Sequence, residues 1–247
     1  MKKLLATLLL LGGLLPAMLA QAGIIASATR VIFREGDDEK GLMLLNTNGY
    51  PVVVQTWVDD GDVNAAPEQS KAPFVSLPAV FSMQPDTTKG LRLVYNQQPL
   101  PADRESVFWI NLYEIPPTRP VMPPEQPSVT MAMNTQMKIF YRPKALVKEA
   151  GNTPMPIFSL QKEDNHYVLV CDNRSPFHLS FARISLRIGQ QDYPVQLESD
   201  MMTPPFSRKK YQLDELGQPG AIASPLVAAA IIDDQGNAVE QQYTLRQ

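Results

Sequence analysis

The chain has 247 residues, with 22 lysines and arginines against 25 acidic residues and a formal net charge of −3. That mildly acidic balance, without a basic run, argues against nucleic acid as a partner. A lone cysteine, Cys171, excludes a disulfide framework within the chain, so the fold must hold by packing.

The first element is a processing segment. Lys2 and Lys3 precede an apolar run, Pro16 breaks it, and Ala20-Gln21-Ala22 supplies small residues at the positions a signal peptidase reads. The reading is a secretory signal peptide over 1–22 and a mature chain from Gly23, exported from the cytoplasm. A membrane anchor is the alternative, but the run is short for a span of about 20 residues.

Short apolar or alternating runs follow at 28–34, 42–45, 52–58, 80–83, 91–95, 107–115 and 128–141. Turn residues separate them, as at Gly36-Asp37-Asp38, Asn48-Gly49, Asp59-Asp60-Gly61 and Pro85-Asp86. A second series covers 167–171, 177–188, 193–197, 211–213, 226–232 and 238–245. Many short strands at regular spacing predict β-sandwiches, and no window carries a capped helical stripe. The polar stretch after Pro143 marks a boundary between domains at 23–143 and 144–247. Prolines 116, 117, 120, 123, 124 and 127 exclude sheet pairing for the segment holding them, because each lacks a donor.

No nucleophile elbow, phosphate-cradling glycine loop or paired-histidine zinc motif occurs, which argues against an enzyme and against a metal or other cofactor. His166 and His178 are isolated and read as packing or surface residues. Cys171, within Val168-Leu169-Val170-Cys171, reads as a buried thiol. Arg30 in Thr29-Arg30-Val31-Ile32-Phe33 and Lys138 in Met137-Lys138-Ile139-Phe140 are charges inside apolar strands. On physical grounds each is an edge charge, an ion pair or a binding cation.

Several stretches resemble the PapD-like periplasmic pilus chaperones. They are Ala28-Thr29-Arg30-Val31-Ile32-Phe33, Asp103-Arg104-Glu105-Ser106, Phe108-Trp109-Ile110-Asn111-Leu112, Glu114-Ile115-Pro116-Pro117 and Lys138-Ile139-Phe140-Tyr141-Arg142-Pro143. The turn Asp172-Asn173-Arg174-Ser175-Pro176-Phe177 extends the likeness into the second half. The resemblance implies an all-β fold of two immunoglobulin-like sandwich domains in an L or boomerang. It implies a chaperone, with no small-molecule substrate, that completes a pilus subunit by lending it a strand and passes it to an outer-membrane usher. Arg30 and Lys138 would hold the subunit's C-terminal carboxylate. Val129, Met131 and Met133 would be the donated side chains. Glu105, Arg142 and Asp234 would form an ion cluster joining the domains, although Asp233 adjoins Asp234. The proline-rich loop is intermediate between the short-loop and long-loop branches, so the pilus type stays open.

Two other readings compete. A pilus structural subunit would carry a cysteine pair and an alternating apolar C-terminal strand, whereas this chain ends in the polar run 241–247. A secreted hydrolase, or another sandwich binding protein, lacks a supporting motif. Val129, Met131 and Met133 share one parity, so they line one face of a strand, either as an exposed binding row or in the core. Lys138 has the other parity, which calls for a bulge or for an anchor opening on the opposite face.

Overall fold

The computed structural model describes residues 23–62, 67–117, 131–147, 155–163, 166–214 and 225–246. The expected signal peptide and Val129 lie outside them. The first half supplies β1 (Ile24–Ala26), β2 (Arg30–Arg34), β3 (Glu39–Asn46), β4 (Val52–Asp59), β5 (Phe74–Leu77), β6 (Val80–Met83), β7 (Thr88–Tyr95), β8 (Ser106–Ile115) and β9 (Met133–Arg142). The second half supplies β10 (Ile157–Glu163), β11 (His166–Asn173), β12 (Leu179–Ile188), β13 (Gln191–Pro194), β14 (Met202–Thr203), β15 (Ser207–Gln212), β16 (Leu226–Ile232) and β17 (Ala238–Thr244). The described residues contain no α-helix, only single 3-10 turns at Pro67–Gln69 and Lys144–Leu146.

Each half is a sandwich of two sheets. In the first, β1-β3-β7-β5 faces β2-β9-β8-β4-β6. In the second, β10-β11-β15 faces β13-β12-β16-β17, with β14 paired to β12. Alternation along the strands creates the two cores. In β4, Val52, Val54, Thr56 and Val58 point inward while Val53 remains exposed. They meet Phe33, Leu42, Leu44, Leu91, Leu93, Ile110, Leu112 and Ile139. The second core gathers Phe158, Leu169, Leu179, Leu186, Tyr211 and Val227 around Cys171. Burying one such large side chain stabilises the fold by about 1.5–3 kcal/mol.

Two differences from the sequence pattern come from strands that change sheet. Ahead of the run expected from residue 28, β1 pairs with β3, while β2 within that run joins the opposite sheet beside β9. The run expected over 193–197 leaves its sheet after Pro194. Val195 bridges Leu213 instead, and Leu197 is exposed.

Candidate functional site

The site is built on β9. Its register with β8 is unbroken from Ser106↔Tyr141 to Glu114↔Met133, so no bulge intervenes. Met137, Ile139 and Tyr141 therefore enter the core, and Met133 continues their row beyond it. Met131 is 71% exposed and Met133 48% exposed, so neither packs into the core. Lys138 consequently opens on the opposite face from the methionines. That face is fixed by a polar ladder. Asn134 Nδ2 and Gln136 Nε2 donate to Asn111 Oδ1 at 2.9 and 2.8 Å. Asn111 Nδ2 in turn donates to the buried Asp59 Oδ2 at 2.6 Å.

On its other edge β9 is only half covered. The parallel strand β2 pairs Arg30↔Lys138 through Arg34↔Arg142. Residues 133–137 have no strand on that side among the described residues. The backbone groups of that stretch that face away from β8 pair with no other strand among the described residues and form an open sheet edge.

Arg30 and Lys138 are thus direct neighbours at the place where the cover begins. Arg30 Nη1 donates to Ile232 O at 3.2 Å, and its guanidinium lies 5.4 Å from the centre of the Phe140 ring. Burial lowers the pKa of Arg30 from its ordinary value, and Asp234, Asp233 and Glu105 partly offset that. A guanidinium stays charged regardless. Lys138 Nζ lies 2.7 Å from Asp200 Oδ1, a pairing with the second sandwich that sequence reading did not foresee.

Next along β9, Arg142 joins the two sandwiches. Its Nε donates to Glu105 Oε1 at 2.9 Å, and Nη1 and Nη2 donate to the two oxygens of Asp234 at 2.7 and 2.8 Å. Arg142 and Glu105 are buried, while the Asp234 side chain remains 32% exposed. Burial alone would lower the pKa of Arg142, but its carboxylate partners raise it above the ordinary value. Glu105 Oε2 also accepts the backbone N-H of His178 at 2.9 Å and touches His178 Nδ1 at 3.3 Å. His178, a packing residue against Phe140, therefore also belongs to this cluster. A histidine between Phe177 and Leu179 gives no signal of a partner 73 positions away.

Asp233 and Asp234 separate by role. Asp233 Oδ1 accepts the N-H groups of Gln235 and Asn237, which folds the β16–β17 turn and leaves Asp234 to face Arg142. Gly236 closes that turn at φ +90°, where a Cβ would lie 2.3 Å from Thr29 Oγ1. Only glycine lets the turn approach the first sandwich this closely.

Comparison with known proteins identifies the family of the chain. The model for the PapD N-terminal domain of pili and flagellar-assembly chaperones matches residues 23–147, and that for the PapD C-terminal domain matches 157–243. The probable fimbrial chaperone YadV of Escherichia coli K12 is 31% identical over 222 residues, covering 89% of this chain and 88% of its own. Among solved structures, the Pseudomonas aeruginosa CupB2 chaperone is 30% identical with a TM-score of 0.71, covering 90% of this chain and 100% of that one. A Salmonella enterica structure of SafA pilin in complex with the SafB chaperone is 26% identical with a TM-score of 0.70, covering 91% and 97%. With both halves of the chain matched and its two sandwiches shared, the protein belongs to the PapD family of pilus-assembly chaperones.

Proposed function

We propose that this chain is a periplasmic chaperone that completes pilus subunits with strand β9. In this reading Val129, Met131 and Met133 fill the subunit's groove. Arg30 and Lys138 hold its C-terminal carboxylate, and the loaded complex goes to an outer-membrane usher. Glu105, Arg142 and Asp234 keep the two sandwiches at the angle that presents the anchor.

The observation that carries this reading is the open edge at 133–137, which stops at the Arg30↔Lys138 pair. A guest strand added there lies in line with β2 and must end where β2 begins. If it runs parallel to β9, its C-terminus meets two cations. If it runs antiparallel, its N-terminal ammonium meets them and is repelled. Charge thus selects both the direction and the end of the guest. One such contact at 4 Å in an effective dielectric of about 20 amounts to roughly 4 kcal/mol before desolvation. The SafB relative, solved with a pilin, supports the choice of partner.

Periplasmic co-expression with a candidate pilus subunit tests the proposal. The expected result is a soluble one-to-one complex, lost in Arg30→Ala and Lys138→Ala proteins that remain folded. Normal capture by folded Lys138→Ala would reject the anchor, and self-assembly of the chain would favour a structural subunit.

A further inference from the structure

The anchor lysine is not free. Asp200, on the segment between β13 and β14, places Oδ1 2.7 Å from Lys138 Nζ. The two side chains are 38% and 23% exposed, so the pair sits at the rim of the space between the sandwiches. The segment is held in place from behind. Lys209 Nζ donates to Asp200 O at 2.6 Å and pairs with Glu198 at 2.8 Å, and Phe181 N donates to Met201 O at 2.7 Å. Asp200 Oδ1 is itself buried, yet the contact with Lys138 lacks the angles of a hydrogen bond. Arg30, in register with Lys138, has its Nε buried without a hydrogen-bond partner among the described residues.

We propose that Asp200 is an internal competitor for the anchor. It occupies Lys138 in the free chaperone and is displaced by the carboxylate of an arriving chain. The proposal rests on the reading of Lys138 as the carboxylate anchor. Without Asp200, the in-register cations Arg30 and Lys138 would repel each other in the empty protein. With it, one carboxylate is exchanged for another. Because the resident pair has poor hydrogen-bond angles, a carboxylate on a mobile chain end can orient better and replace it. An uncharged guest segment gains nothing in exchange for breaking the pair. Asp200 therefore lowers affinity for every guest that must displace it, and only a guest that ends in a free carboxylate restores an ion pair to Lys138.

The test uses the mature protein and a synthetic peptide of alternating valine and threonine, led by two lysines, made with a free C-terminal carboxylate and as the C-terminal amide. Affinities are measured by calorimetry for the wild type, Asp200→Asn, Asp200→Ser, Lys138→Ala and the Asp200→Asn/Lys138→Ala pair. The expected result is carboxylate-peptide binding tightened about five-fold by either Asp200 change, the size of a partly exposed ion pair. The wild type should prefer the carboxylate over the amide, and the gain should vanish when Lys138 is alanine. If Lys138→Ala weakens binding but the Asp200 variants bind as wild type or worse, the competitor role is wrong while the anchor stands. If Lys138→Ala binds normally, the anchor reading fails and the competitor with it. Circular dichroism of both Asp200 variants shows whether each is folded, and either one alone suffices for the comparison.

Discussion

Arg142 and Asp234 meet as a two-pronged ion pair across the two sandwiches, Nη1 to Oδ2 at 2.7 Å and Nη2 to Oδ1 at 2.8 Å. The planar guanidinium fork matches a carboxylate in two bonds at once, which fixes orientation as well as distance. With Nε on the buried Glu105, one side chain ties β9, the segment before β8 and the β16–β17 turn together.

Removing Arg142 should cost far more than the pair contributes, because Glu105 would be left buried without its cation. Arg142→Ala is expected to lower stability by about 3–5 kcal/mol in urea unfolding. Asp234→Asn, at the wetter end of the cluster, should cost clearly less. Equal midpoints for Arg142→Ala and wild type would show that the cluster carries no stability.

Gly236→Ala should loosen the same junction by a different route. The new Cβ would meet Thr29 Oγ1 at 2.3 Å on a backbone already at φ +90°. A loss of about 1–3 kcal/mol is expected from the strained backbone alone. Pairing it with Thr29→Ala should recover part of the loss, so the two changes should not add.

Met131→Ala separates a binding surface from a core. At 71% exposure the side chain has little to lose on truncation, so the free energy of urea unfolding should stay within about 0.5 kcal/mol of wild type. Subunit affinity should fall by about 1.5–3 kcal/mol if the side chain is buried in a groove. Lost stability with affinity preserved would remove β9 as the donated strand.

Cys171 should behave as an inert thiol. Burial pushes its pKa up to about 11, against which a hydrogen bond with Thr203 works only in part. Alkylation at pH 8 should label unfolded chains and spare folded ones. The unfolded thiol ionises from about pH 9 while the folded one keeps its proton. The unfolded state then binds fewer protons, so stability should fall as pH rises through that window, by roughly 1 kcal/mol at pH 10. Cys171→Ala should flatten the slope between pH 9 and 10.

The strands were legible wherever inward β-branched or aromatic residues alternated cleanly. Residues 52–58 read as a strand and form all but the last residue of β4, and 107–115 read as a strand and form all but the first residue of β8. β10 was missed because its second half, Gln161-Lys162-Glu163, is polar, and only its pairing with β11 along 157–163 makes it a strand. β1 was missed because three residues carry no period. At the site, resemblance drew attention to Arg30, Lys138, Glu105, Arg142 and Asp234, of which Arg30, Lys138 and Arg142 are charges beside apolar strand residues. Asp200 and His178 carried no such mark. They reach Lys138 and Glu105 only because loops of the second sandwich fold back toward the first, a proximity encoded in neither local pattern. The choice between Asp233 and Asp234 was likewise beyond sequence, since it depends on which carboxylate the turn uses for itself.

The way β2 closes the edge of β9 at Arg30 has a consequence in time. An edge blocked at one end cannot accept a stretch from the middle of another chain, because the rest of that chain would run into β2. On the proposed reading, the part recognised is the last to be synthesised and the last to leave a secretion pore. Capture would then begin only when a guest has crossed the membrane entirely, so a chain stalled in the pore, however apolar, would find no seat.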